Sequence, residues 1–170
     1  GCQSCHGPAS GHLAWAGKAD QALAGKGFEK PLMSQIDNRA QVETCARCHA
    51  LRSPLGDGYK HSNALLDDYL PSDLTATQYE VDGKIKGEVF EYGSFTQSKM
   101  FAKGVACTNC HNPHSTELKL EGNAVCTQCH NPAGKTAAPG VDGAGLQAKD
   151  YDSPAHTRHP AGSPAAQCTA

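Results

Sequence analysis

Four times the chain spells Cys-x-x-Cys-His: Cys2–Cys5–His6, Cys45–Cys48–His49, Cys107–Cys110–His111 and Cys126–Cys129–His130. Cysteines three apart share one side of a helical turn, so both sulfurs can reach the two vinyl groups of a single porphyrin. The histidine that follows then stands under the iron as its proximal ligand. The pattern is that of a c-type haem attachment site. Paired Cys-x-x-Cys is also the knuckle of zinc ribbons, but zinc does not require a histidine directly after each pair. With 9 histidines in 170 residues, four such coincidences have a chance on the order of one in a hundred thousand. A thioredoxin-like redox pair fits poorly, because one such site per domain is usual and no βαβ pattern surrounds these four. The expected cofactor is therefore haem c, four per chain, with these eight cysteines and four histidines binding it.

Each iron has a second axial position. Five histidines remain after the proximal four: His12, His61, His114, His156 and His159. Unmet demand for ligands selects His12, His114, His156 and His159 as distal ligands, and leaves His61 as a solvated side chain or a spare. Two imidazoles per iron give a low-spin centre with little change between ferric and ferrous forms. Met33 and Met100 are the only thioethers, so at most two sites have a His/Met pair, and packing against a porphyrin face is the ordinary role for Met100. His114 cannot reach around its own haem, whose proximal face belongs to His111. It can reach a neighbouring one, and His12 stands in a similar relation to His6. Arg39, Arg47, Arg52, Lys60 and Arg158 are candidates to meet propionates, none singled out.

The elements that must hold these residues are short. Residues 6–17 predict a haem-site turn and a small helix carrying His12 and Trp15. Residues 37–52 carry the clearest helix signal, with Asp37 or Asn38 as cap and Val42, Cys45, Cys48 and His49 on one face. A short helix is expected over 63–70, ending at Pro71. Residues 78–90 predict a β-hairpin about Asp82-Gly83, weakened by Gly87. A helix is expected over 94–103 with Ser94 as cap, and another over 124–130 capped by Asn123. Residues 18–36 and the Gly/Pro/Ala-rich stretch from Pro132 read as irregular. The fold class is thus mostly irregular, with short α-helices and one small β-hairpin, in a single domain spanning 1–170.

Composition explains why. Leu, Ile, Val and Phe make up 24 of 170 residues, about 14%, below the ~20% a chain needs for an apolar interior. Porphyrins supply the missing apolar surface, so the haems are expected to form the core and the apo chain to be largely unfolded. The formal charge is −2. Four ferric haems with their propionates bring it to about −6, and reduction to about −10. No basic patch suggests nucleic acid, and no apolar run approaches the length of a transmembrane segment.

Cys168 is left over after eight cysteines are assigned. The favoured reading is a fifth site, cut at 168, of which Cys-Thr-Ala begins the copy; a free thiol or an intermolecular disulfide are the alternatives. Haem is joined to Cys-x-x-Cys-His outside the bacterial or archaeal cytoplasmic membrane. The chain is therefore expected to be exported, periplasmic or extracellular, and to be a processed form or a fragment.

Several phrases carry a resemblance: CHGPASGH, CARCH with the LGDGY loop, LLDDYLP, EYGSFTQSKM, GVACTNCHNPHS, EGNAVCTQCH and YDSPAHTRHPAGSPAAQC. Together they resemble the doubled Cys-x-x-Cys-His multihaem cytochromes, including tetratricopeptide-associated and octahaem-like members related to the hydroxylamine-oxidoreductase and cytochrome nitrite-reductase lineage. The resemblance implies a multihaem cytochrome c fold. It also implies that His12 and His114 are distal ligands of neighbouring haems, with His156 and His159 similarly placed, and that a further Cys-x-x-Cys-His follows.

Two function classes stand against each other. An electron-transfer protein needs closely spaced, mostly bis-His haems and redox protein partners, with no substrate. A variant stacks copies into an extracellular conducting filament, a homopolymer with inter-subunit haem contacts. A reductase or oxidase domain for a small nitrogen or sulfur compound needs an open iron position, and no Cys-x-x-Cys-Lys of the nitrite-reductase type occurs. The ligand supply favours the electron carrier, not an enzyme.

Overall fold

A computed structural model describes residues 1–18, 24–28, 37–58, 60–72, 74–87 and 89–169. Met33 and most of the 18–36 stretch lie outside them. Contacts divide the chain into two units, Gly1–Phe101 and Ala102–Ala170.

The first unit opens with α1 (Gln3–His6) and α2 (Ser10–Ala16). Gly7, with φ +78°, ends α1 between them, a conformation that only glycine adopts without cost. His12 and Trp15 lie on α2, as their spacing predicts. A 3₁₀ turn, Ala24–Gly27, packs back against α2.

The longest helix is α3 (Asn38–Ala46), and its start is capped by Asp37, whose Oδ1 accepts from the Ala40 amide at 2.8 Å. Val42 and Ala46 are buried on its inner side. The helix stops six residues before the expected Arg52. The chain turns through Arg47 and Cys48 and enters strand β1 (Arg52–Pro54), which pairs antiparallel with β2 (Tyr69–Pro71) in the register Arg52↔Pro71, Ser53↔Leu70, Pro54↔Tyr69. The helix expected over 63–70 is correspondingly one turn, α4 (Leu65–Asp68). Pro71 forces Leu70 toward extended backbone, and the ladder claims the residues a longer helix would have used. Ala46, Ala50 and Leu65 form the core cluster, with Tyr69 and Tyr92 packed against it.

Among the described residues the hairpin expected over 78–90 is reduced to one bridge, Tyr79↔Ile85. Its turn is where Asp82-Gly83 places it, with the Gly83 amide donating to Glu80 O at 3.0 Å. The two-stranded ladder among the described residues is β1–β2 instead. The helix expected over 94–103 is two turns, α5 (Tyr92–Thr96) and α6 (Lys99–Ala102). Ser94 lies inside α5, and Ser98 Oγ accepts the Phe101 amide at 3.1 Å at the start of α6.

The second unit holds α7 (Cys107–Cys110), α8 (Ala124–Thr127), α9 (Pro154–Thr157) and a 3₁₀ turn, Pro164–Ala166. Its buried apolar residues among those described are Ala106 and Ala166. Amide side chains tie its loops together. Asn109 accepts from the Ala106 amide at 2.7 Å and donates to Pro139 O at 3.2 Å. Asn131 donates to Thr127 O and Lys135 O at 3.1 and 2.7 Å. Asn123, the residue before α8, does not cap that helix with its side chain. It bonds Asp152, Ala166 O and the Cys168 amide, and so anchors the last residues to α8. Among the described residues no helix is long and apolar enough to cross a membrane.

Candidate functional site

All four Cys-x-x-Cys-His copies adopt one backbone turn. The histidine amide donates to the first cysteine's carbonyl in each: His6 to Cys2 at 3.0 Å, His49 to Cys45 at 2.9 Å, His111 to Cys107 at 2.8 Å and His130 to Cys126 at 2.9 Å. This is the i, i+4 closure of a single helical turn, and it puts both cysteines of a pair on one side. The eight motif cysteines are exposed or half-buried. Burial, and then the neighbouring thiols, raise the Cys110 and Cys126 pKa values above the ordinary cysteine range. Among the described residues no three of His, Cys, Asp and Glu converge as a metal-ion cage. Two sulfurs and one imidazole carried on a single turn at each copy are a donor set that suits one large group bound at three points, and haem c is such a group.

The first copy sits beside an aromatic stack. Phe28 contacts both His6 and His12, with ring centroids 4.9 and 4.2 Å apart. Trp15 stacks on the other neighbour, 5.3 Å from His12. Phe28 carries no motif and was not singled out by sequence; only the structure shows that it touches both imidazoles.

The second copy is fixed by its own middle residue. Arg47, only 5% exposed, pairs with Asp68 at 3.1 Å and donates to Asn63 O at 2.6 Å. Its guanidinium is thus spent inside the protein rather than offered to a propionate. Arg52 donates to Arg47 O and lies over the Tyr69 ring, 4.3 Å from its centroid. His49 itself is exposed, edge-on to Phe90 at 6.2 Å. His61 is half-buried in the turn that precedes α4.

At the third copy the chain doubles back. His111 bridges Leu118, and Lys119 N donates to Cys110 O at 2.8 Å. His114 stands in the intervening turn, its amide held by Asn112 Oδ1 at 3.0 Å.

The fourth copy opens into a hollow of about 430 Å³. His130, Tyr151, His156, His159, Cys126 and Cys168 line it. Tyr151 stands edge-on to His130 at 5.4 Å and to His156 at 5.0 Å. The structure thus brings together His130, His156 and His159, from two segments that sequence could only list separately, and adds Cys168 beside Cys126. A smaller hollow of about 210 Å³, lined by Arg39, Val42, Glu43, Tyr92, Thr96 and Phe101, contains no motif cysteine.

Residues 99–135, which contain the third and fourth copies, match a family model for the doubled CXXCH motif. Neither a curated protein nor a solved structure matches the chain. The matched segment is a doubled CXXCH cassette consistent with the multihaem cytochromes c. Its motif implies covalently bound c-type haem.

Proposed function

We propose that this chain is an exported electron carrier with haem c at all four motifs and mostly bis-histidine axial ligation. The observation that carries the reading is the fourfold recurrence of one thiol-bearing turn, two copies of which have spare histidines grouped with them. Bound there, haem supplies a one-electron iron couple whose potential follows its axial ligands and burial.

The chain's own residues do the rest. Cys2 and Cys5, Cys45 and Cys48, Cys107 and Cys110, and Cys126 and Cys129 hold the group, and His6, His49, His111 and His130 supply one imidazole each. His12, beside the first copy, and His156 or His159, in the hollow of the fourth, supply a second imidazole. His114 is the candidate for a neighbouring site. Phe28 packs against His6 and His12, and Tyr151 against His130 and His156, so each aromatic ring holds the planes of the imidazoles it touches. Exposed Leu13, Leu66, Leu70 and Leu118 give apolar surface for a large flat group to cover.

Optical and electron-paramagnetic spectra of the purified holoprotein test this reading. Electron transfer through closed sites predicts low-spin ferric iron throughout, unaltered by cyanide, and ferrous iron indifferent to carbon monoxide. A high-spin ferric fraction that takes up carbon monoxide on reduction would favour an open catalytic site instead.

A further inference from the structure

The hydrogen bond that reaches the His12 ring comes from outside its own helix. Nδ1 lies 2.8 Å from the carbonyl oxygen of Lys26, fourteen residues on. A carbonyl oxygen only accepts, so Nδ1 carries the proton and Nε2 keeps the lone pair. The ring plane is fixed as well. His12 lies flat on Phe28, with an interplanar angle of 13°, and at 25° to Trp15.

The backbone that presents the acceptor is costly to form. Lys26 has φ +53° and Gly27 φ +75°, so a lysine and a glycine in succession occupy the left-handed region. Gly27 also meets Gly11, the residue before His12, backbone to backbone. A Cβ on Gly11 would stand 2.6 Å from Gly27 O, and one on Gly27 would overlap Gly11 O. Two glycines facing each other are what permit the 3₁₀ turn to approach α2 this closely.

We propose that the Gly11–Gly27 contact is a positioning device for His12: it delivers the Lys26 carbonyl to Nδ1, and so sets the tautomer, plane and donor strength of Nε2. The proposal rests on the reading of His12 as an axial ligand. An Nδ1–H···O=C bond makes the imidazole a stronger donor, and loss of such a partner weakens metal binding by about 10–100-fold. A stronger donor favours ferric over ferrous iron and lowers the potential of the haem it serves.

The test uses holoprotein variants, each checked for its haem count, with redox titration and cyanide binding as readouts. Gly27→Ala and Gly11→Ala attack the contact from opposite sides, so a folding failure of one leaves the other. Each is expected to raise the midpoint of one haem while the others hold, and to let cyanide displace an axial ligand at one haem that excludes it in the parent, because loss of the Nδ1 partner weakens the iron–imidazole bond by about 10–100-fold. Lys26→Gly keeps the carbonyl and should retain the parent values. So should Gly17→Ala at the end of α2, where a Cβ makes only ordinary contact at 3.6 Å. Parent midpoints and the parent's inertness to cyanide in both Gly27→Ala and Gly11→Ala, with a site opened by His12→Ala, would overturn the positioning role while leaving the ligand reading intact. A His12→Ala protein that stays fully low-spin and inert to cyanide would overturn both.

Discussion

Arg47 lies between the two cysteines of the second motif, and its buried guanidinium must be neutralised where it stands, because an uncompensated buried charge is strongly destabilising. Asp68 does this at 3.1 Å, and Asn63 donates to the other Asp68 oxygen at 2.8 Å. The Asn63 hydrogen bond, and then Arg47, hold the Asp68 carboxyl below the usual carboxylate range. A depressed folded-state pKa means that the stabilisation is complete above the unfolded value of about 4 and is lost as pH falls through the lower folded value. Asp68→Asn should therefore lower the melting temperature of the holoprotein at neutral pH. It should also flatten the acid limb of its stability, measured as melting temperature from pH 7 down to pH 2. An unchanged acid limb in Asp68→Asn would show that another carboxylate governs it. The four motifs were legible at this scale because they are contiguous and their residue types and spacing recur unchanged. The role of Arg47 was not, because its partner lies twenty-one residues away and no periodicity links the two; it read as one of five candidate partners for a propionate.

Among the elements, α4 shows how a single turn serves as an anchor. Leu65, wholly buried, is its first residue, and the Leu65 amide donates to Glu43 on α3 at 3.0 Å. The turn thus joins α3, which leads into the second motif, to the β1–β2 ladder. Leu65→Ala should destabilise the first unit by about 2–5 kcal/mol, read by denaturant unfolding of the holoprotein. A loss well under 1 kcal/mol would mean that the Ala46–Ala50–Leu65 cluster does not hold the motif in place. The start of α3 was visible in sequence because Asp37 is a local capping signal, and α2 because its pattern is self-contained. The ends of α3 and α4 were not visible, since the pairing of 52–54 with 69–71 decides them and nothing local announces it. The Asp82-Gly83 turn formed as its residues dictate, yet Tyr79 and Val89 are the buried β-formers there while Val81 is fully exposed. With so little of the segment pressed into a core, the pairing stops at one bridge.

At the scale of the whole molecule, a chain with few large apolar residues is organised by polar ties and by its four cysteine turns. The low apolar content was plain in sequence, and so was the consequence that secondary structure would be short. The grouping of His130, His156 and His159 about one hollow was not, because it depends on how loops from 131–167 return to α8 through Asn123. Porphyrin joined to the polypeptide by thioethers at every copy of the motif is the premise of the proposed function. The intact mass of the purified holoprotein, taken under denaturing acid, measures this most directly. It should equal the polypeptide plus four haems, and the colour should stay with the chain. A mass equal to the bare polypeptide, or iron porphyrin that extracts into solvent, would contradict it.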